Sequence, residues 1–208
     1  MYLLERDCIL FKANKKINFE SYQFSTPYEK LNIEESNQGY TKIIYTWLDP
    51  VRVREKIIAK DQRSVILIYF YKKDILSCFG SSESLIGYVI NKMEKVFKVG
   101  LEKVKIFDNF NDAISAELIN IHLFMGEGYG EGLYEDEHTV KLNIKDIPRS
   151  VLQSYFNKNQ VTSLTFKNIE SNNRINYFYV DNGSVVSFPD TMKEDVVYNV
   201  LEKVFHIS

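Results

Sequence analysis

Ile68-Tyr69-Phe70-Tyr71, running on to Glu94-Lys95-Val96-Phe97, has a second version near the end of the chain: Tyr177-Phe178-Tyr179 and then Glu202-Lys203-Val204-Phe205. In both places 25 positions separate the first tyrosine from the glutamate. The first version reads as a buried strand, a turn at Lys72-Lys73-Asp74, a returning strand Ile75–Phe79 and an amphipathic helix. Val65–Phe70 is β-branched, aromatic and too short for a helix core, which predicts a central strand covered on both sides. Gly80-Ser81-Ser82-Glu83-Ser84 supplies a helix cap, and Leu85, Val89, Met93 and Val96–Phe97 recur at helical spacing. In the second version Arg174–Val180 is the strand, Asp181-Asn182-Gly183 the hairpin turn, Val185–Phe188 the partner, and the helix runs from Asp190 or Thr191 to Phe205.

Outward from these two stretches the elements continue in parallel. Cys8-Ile9-Leu10-Phe11 reads as a strand, as do Ile17, Phe19, Tyr22 and Phe24 by partial alternation and Lys42–Leu48 by β-branched and aromatic content. Asp49-Pro50 predicts a Pro-initiated helix through Ile57 and Ile58, and Asp146-Ile147-Pro148-Arg149 a second one through Phe156. Glu34–Gly39 is a loop; Val104–Phe107, Val140–Ile144 and Val161–Phe166 are further strands, and Asn111–Met125 a helix. The expected fold class is α+β: two diverged strand–helix–strands–helix repeats, mainly antiparallel sheet, with helices packed on one face. In element order, over roughly residues 40–208, this unit resembles the half-repeat of the TATA-binding-protein-like saddle, which implies helices on one face of a curved antiparallel sheet. The expected organisation is an N-terminal half (1–110), a helix plus acidic glycine-rich connector (111–138) and a C-terminal half (139–208).

With 208 residues, 45% hydrophobic, the chain can bury a real core. Its net charge of -2 hides an asymmetry. Residues 1–110 hold 18 Lys/Arg against 14 Asp/Glu, a net +4, and residues 111–208 hold 8 against 14, a net -6. Cys8 and Cys78, flanked by apolar residues, read as buried thiols of a reducing compartment. Charges in Met1–Asp7 and the lack of a long apolar run point to a cytoplasmic protein without a membrane partner. Ala occurs only at 13, 59, 113 and 116 while Ile, Lys and Asn abound, the bias of an AT-rich bacterial or phage genome.

Chemistry-bearing groups are sparse. Glu131, Glu135, Asp136 and His138, in the stretch Gly126–His138 that holds 4 of the 9 glycines, offer oxygen and imidazole ligands to a divalent metal. They sit in a glycine-rich stretch without EF-hand spacing, and a solvated connector is the favoured reading of them. There is no GxGxxG, no GK[ST] and no GxSxG elbow. No catalytic residue and no cofactor is assigned, and an enzyme is not the expectation. Arg52, Arg54, Lys56, Lys60 and Arg63 form a basic group suited to phosphates; Lys12, Lys15 and Lys16 form another, and Lys92, Lys95, Lys98, Lys103 and Lys105 a third. Tyr69, Tyr71, Tyr177 and Tyr179 could stack bases on an open sheet face, or pack beneath helices. The resulting expectation is a non-catalytic accessory or adaptor subunit of a bacterial complex that handles nucleic acid, antiviral systems included, with another protein as its partner. The alternatives are a direct nucleic-acid-binding protein using the basic N-terminal half, and a metal-dependent hydrolase or nuclease using the acidic loop.

Overall fold

The computed structural model describes residues 6–22, 28–35, 39–53, 56–107, 118–124, 139–170 and 173–205, with backbone alone at 35, 49–53, 56–60 and 205. Antiparallel sheet and helices make up the described chain, an α+β composition. It divides into two compact units, Met1–Lys103 and Val104–Ser208.

In the first unit the sheet strands are β1 (Asp7–Ala13), β2 (Glu29–Glu35), β3 (Thr41–Val53), β4 (Lys56–Phe70), β5 (Ile75–Phe79) and the short β6 (Leu101–Lys103). They lie in the order β2-β3-β4-β5-β1, with β6 along β1, and the pairs are antiparallel. The stretch Val65–Phe70 is buried at every position, and its turn spans Tyr71–Asp74. Tyr69, Leu67 and Val65 share a face with Ile43, Tyr45 and Trp47 across the β3–β4 register. Helix α1 (Glu83–Phe97) lies against that face: the ring of Tyr88 is 5.0 Å from that of Trp47.

The cap of α1 is the expected one. Ser82 Oγ accepts the Leu85 N–H at 3.3 Å. The buried stripe, however, is Ile86, Val89, Ile90 and Met93, while Leu85, Val96 and Phe97 are half-buried. The helix is rotated by about one residue from the expected face. Gly80 explains the seat of Ile86, because a Cβ there would lie 3.0 Å from Ile86 Cγ1. Burial of each such aliphatic side chain contributes about 1.5–3 kcal/mol.

Three expected elements of this unit are different in the structure. Asp49-Pro50 opens no helix; both residues continue β3, which pairs with β4 to form one long hairpin. Proline has no N–H for the ladder, and the register shifts between Asp49 and Pro50, as a bulge does. Val51 and Val53 alternate with Arg52, and this period of two joins the strand-forming run Lys42–Leu48. The second correction concerns Ile17–Tyr22, expected as part of a strand that runs to Phe24, which lies outside the described residues. Asn18 caps a single 3-10 turn, Phe19–Ser21, by accepting the Glu20 N–H at 3.1 Å. The third is β2, read only in its last residues, as loop. Without the Pro50 helix, the resemblance to a saddle half-repeat loses the element that matched the two halves.

In the second unit the strands are β7 (Leu118–Phe124), β8 (Thr139–Asn143), β9 (Val161–Ile169), β10 (Ile175–Asp181) and β11 (Val185–Ser187), in the antiparallel order β11-β10-β9-β7-β8. Helix α2 (Arg149–Asn157) follows Pro148, whose carbonyl accepts from Val151 and Leu152 N–H at 2.9 and 3.0 Å. Helix α3 (Glu194–Phe205) packs Val197, Tyr198, Val200, Leu201 and Val204 inward. Lys203 Nζ donates to Asn168 Oδ1 at 3.1 Å, so α3 lies on the sheet face that carries Asn168.

Here the described part of the expected helix Asn111–Met125 is a strand. Ile121 and Leu123 are buried with His122 between them, an alternation of two that prevails over the helical spacing; residues 111–117 and 125 lie outside the described residues. Val104–Phe107 forms a turn closed by Ile106 N–H to the Val104 carbonyl at 2.9 Å, not a strand. The β10–β11 turn is also of another type than Asn-Gly suggests. The left-handed residue is Ser184, at φ 70°, and Asp181 Oδ1 accepts the Val185 N–H at 2.9 Å. A three-residue loop ending in a left-handed residue satisfies the strand twist as well as a two-residue one.

The two aromatic triplets occupy different places. Tyr69 is 3% exposed and Phe70 closes β4, whereas Tyr177 sits mid-strand and is 53% exposed. The helices correspond more closely: Val89 and Val197, Ile90 and Tyr198, and Met93 and Leu201 are all buried, each pair 108 positions apart.

Candidate anion-binding cleft

Tyr69 does more than fill the core. Its hydroxyl accepts the buried Ile17 N–H at 3.1 Å and donates to Asp74 Oδ1 at 2.8 Å. Its ring meets Phe19 edge-on at 5.5 Å. The segment between β1 and the 3-10 turn, residues 14–18, is thereby pinned at one end. Asn14 pins the other: its N–H donates to the Gly100 carbonyl at 3.0 Å, and its Oδ1 accepts the Gly100 N–H at 3.0 Å. The lack of a side chain at Gly100 suits this clamp, because a Cβ would lie 3.0 Å from Asn14 Nδ2.

Clamping residue 14 to residue 100 brings Lys15 and Lys16 beside the end of α1. That helix stops at Lys98, which is left-handed at φ 52° and donates its N–H to the Glu94 carbonyl. The result is a cleft of about 360 Å³ lined by Lys15, Lys16 and Lys98, by Asn18 and Ser21, and by the half-buried rings of Tyr22 and Phe97. The rings lie 5.7 Å apart. None of the lining residues is a carboxylate.

The polar groups of this wall are already sorted by their other bonds. Asn18 Oδ1 is taken by the Glu20 N–H, which leaves the amide Nδ2 as a donor. Ser21 Oγ donates to the Asn18 carbonyl at 2.7 Å. Tyr22 donates to Glu29 at 3.3 Å, and Glu29 in turn holds Lys92 at 2.7 Å. The charged and uncommitted polar groups of the lining residues are thus chiefly ammonium and amide N–H, the complement of an oxyanion. The carbonyl end of α1 opposes an anion with about half a charge; three formal positive charges outweigh it.

Behind the cleft, phenols are held neutral. Burial, then Glu29, pushes the Tyr22 hydroxyl up to about 12. Burial and Glu29 push Tyr45 up further still, and its Oη is buried without a hydrogen-bond partner. This cluster is structural: Glu29 is occupied by Lys92 and Tyr22.

The structure redistributes the sequence candidates. Of the basic set read as a helix, Arg52, Lys56 and Lys60 lie on the β3–β4 hairpin, and Arg54 lies outside the described residues. Arg63 is exposed on β4, 4.0 Å from Asp61. Lys12 donates to the Lys73 carbonyl at 2.8 Å, and Lys103 pairs with Glu83 at 2.8 Å. Lys98 joins Lys15 and Lys16, a meeting that a separation of 82 positions between Lys16 and Lys98 hides in the sequence. Glu131, Glu135, Asp136 and His138 lie outside the described residues, and among the described residues no cluster of metal-ligating side chains occurs.

In the second unit, a larger cleft of about 580 Å³ joins Lys105, Phe107, Phe156, Gln153, Asn157 and Asn182. Its amides offer donors and acceptors alike, and two of them, Gln153 and Asn157, bond each other at 3.3 Å. His122 stands across from Ser163 on the β7–β9 ladder, yet His122 Nε2 and Ser163 Oγ are both buried without a hydrogen-bond partner. A Ser–His nucleophile needs that bond. Burial, then Lys141, lowers the His122 pKa, so its imidazole is neutral at pH 7. The Cys78 thiol is fully buried and pushed well above its ordinary value by that burial.

No family model matches the chain, and none of the curated proteins matches it.

Among the described residues no helix is long and apolar enough to cross a membrane.

Proposed function

We propose that this chain is a non-catalytic accessory or adaptor subunit, built from two diverged α+β repeats with helices on one face of each sheet. It serves a bacterial assembly that handles nucleic acid, antiviral systems included, and docks a protein partner through the second unit. One observation carries this reading. Ile169 and Ile175 are direct cross-strand partners on β9 and β10 and are 57% and 47% exposed; Tyr177, two residues on, is 53% exposed. Three large apolar side chains on one sheet face are more than a scattered exposed leucine, and such patches mark contact surfaces. Lys167, opposite Tyr177, supplies a polar rim. The matching buried positions of α1 and α3 support the repeat.

The test is purification of the chain, at native expression level, from the cell that encodes it. A stoichiometric partner is expected, and it is lost in Ile169→Asp/Ile175→Asp while the fold stays intact. A partner retained in full by that variant counts against the reading.

A further inference from the structure

We propose that the cleft between residues 14–22 and the end of α1 binds a phosphoryl group of a nucleotide or of a single-stranded nucleic acid, with Lys15, Lys16 and Lys98 neutralising it and Phe97 beside the attached base. This site is separate from the apolar surface of β9 and β10, and neither proposal depends on the other.

Four observations converge on it. The three lysines line a single concavity of about 360 Å³, large enough for a phosphate and part of what it carries. Lys15, Lys16 and Lys98 are exposed, and no ion pair among the described residues engages them, whereas Lys92 and Lys103 are each held by a glutamate at 2.7 and 2.8 Å. The lysines of the same two sequence groups therefore separate into structural and available ones. The site is also built: Asn14 clamps the lysine segment to Gly100, Tyr69 holds Ile17, and Lys98 takes a left-handed conformation to close the third side. Finally, Asn18 lines the cleft with its Oδ1 committed to the Glu20 N–H, which leaves its Nδ2 as a donor. A cleft that offers N–H donors and positive charge suits phosphate oxygens, which only accept. The half-buried Tyr22 and Phe97 rings, tilted 38° to each other, give the wall an apolar portion, and an aromatic face is what a base stacks on.

The experiment measures anisotropy of a labelled oligothymidylate with the full chain at about 50 and about 200 mM salt, with thymidine monophosphate as competitor. One phosphate neutralised on a single strand gives a log–log salt slope of about -0.7, or about threefold weaker binding over that range. Lys15→Gln/Lys16→Gln/Lys98→Gln is expected to lower affinity at least about tenfold, and the three lysine-to-arginine changes to preserve it. Lys72→Gln/Lys73→Gln, on the exposed turn, is expected to leave it unchanged. Competition by the monophosphate identifies a nucleotide as the source; failure to compete identifies a strand. Either result requires the three lysines. No binding of either probe at the lower salt, or binding that the glutamine variant leaves intact, overturns the proposal. A thermal melt of each variant separates lost affinity from lost fold, and the single change Lys15→Gln, at an exposed loop position, serves if the triple variant unfolds.

Discussion

Replacing Tyr69 with phenylalanine removes one oxygen and leaves the ring, and with it the edge contact to Phe19, in place. That oxygen serves two groups, the buried Ile17 N–H at 3.1 Å and Asp74 at 2.8 Å. Without it the Ile17 donor has no acceptor, and an orphaned buried polar group costs about 1–3 kcal/mol. Asp74 is part-exposed and can turn to water, so it adds little. The expected loss is about 2 kcal/mol, or roughly 4–8 °C in Tm for a chain of this size. Tyr71→Phe is the control: Tyr71 is 41% exposed, and its change should stay within about 0.5 kcal/mol. Urea unfolding followed by the fluorescence of Trp47, the single tryptophan and a residue of the first unit, reads the effect locally. The same series has a pH signature. Burial, and the bond to Asp74, raise the Tyr69 phenol to about 12. A raised phenol favours the protonated folded state, so its stabilisation is complete below about pH 10, the unfolded value. It is lost as pH climbs towards about 12, and Tyr69→Phe should lose less stability across that window than the parent. Equal stability of Tyr69→Phe and Tyr71→Phe would refute the reasoning.

Other expectations follow from single contacts. Gly80→Ala places a Cβ 3.0 Å from Ile86 Cγ1 and 3.4 Å from Val65 Cγ2, and should destabilise by about 1–2 kcal/mol in a urea titration. Gly87→Ala, also near α1's start but with nothing within 4 Å, should stabilise by about 0.5–1 kcal/mol through helix propensity. Asp181→Ala removes the acceptor for the Val185 N–H and should cost about 1 kcal/mol, read from the melt of the second unit. Cys8 and Cys78 are buried, and the Cys78 thiol is held neutral; a thiol reagent should modify them at the unfolding rate and not before.

Much of the fold was legible where one period dominated. Val65–Phe70, its turn and its partner β5 are legible because a continuous β-branched run bounded by polar turn residues has few other uses. The helices α1, α2 and α3 were legible from caps and spacing. The β3–β4 hairpin was not. Asp-Pro has strong helix-start chemistry, but a proline at a bulge satisfies a strand too, and only the long partner β4 decides between them. In Leu118–Phe124 a helical spacing of leucine and isoleucine overlay an alternation of two, and pairing with β9 selected the latter. The cleft is half legible: its lysines stand out in the sequence, but in separate groups. Their meeting rests on Asn14 facing Gly100, a polar contact over 86 positions for which a single sequence carries no signal.

The adaptor reading is tested most directly by native mass spectrometry of the chain isolated from its own cell, beside its Ile169→Asp/Ile175→Asp/Tyr177→Asp variant. The expected result is a stoichiometric complex with a second protein for the parent and a free chain for the variant. A free chain in both samples, or the same complex in both, would contradict it.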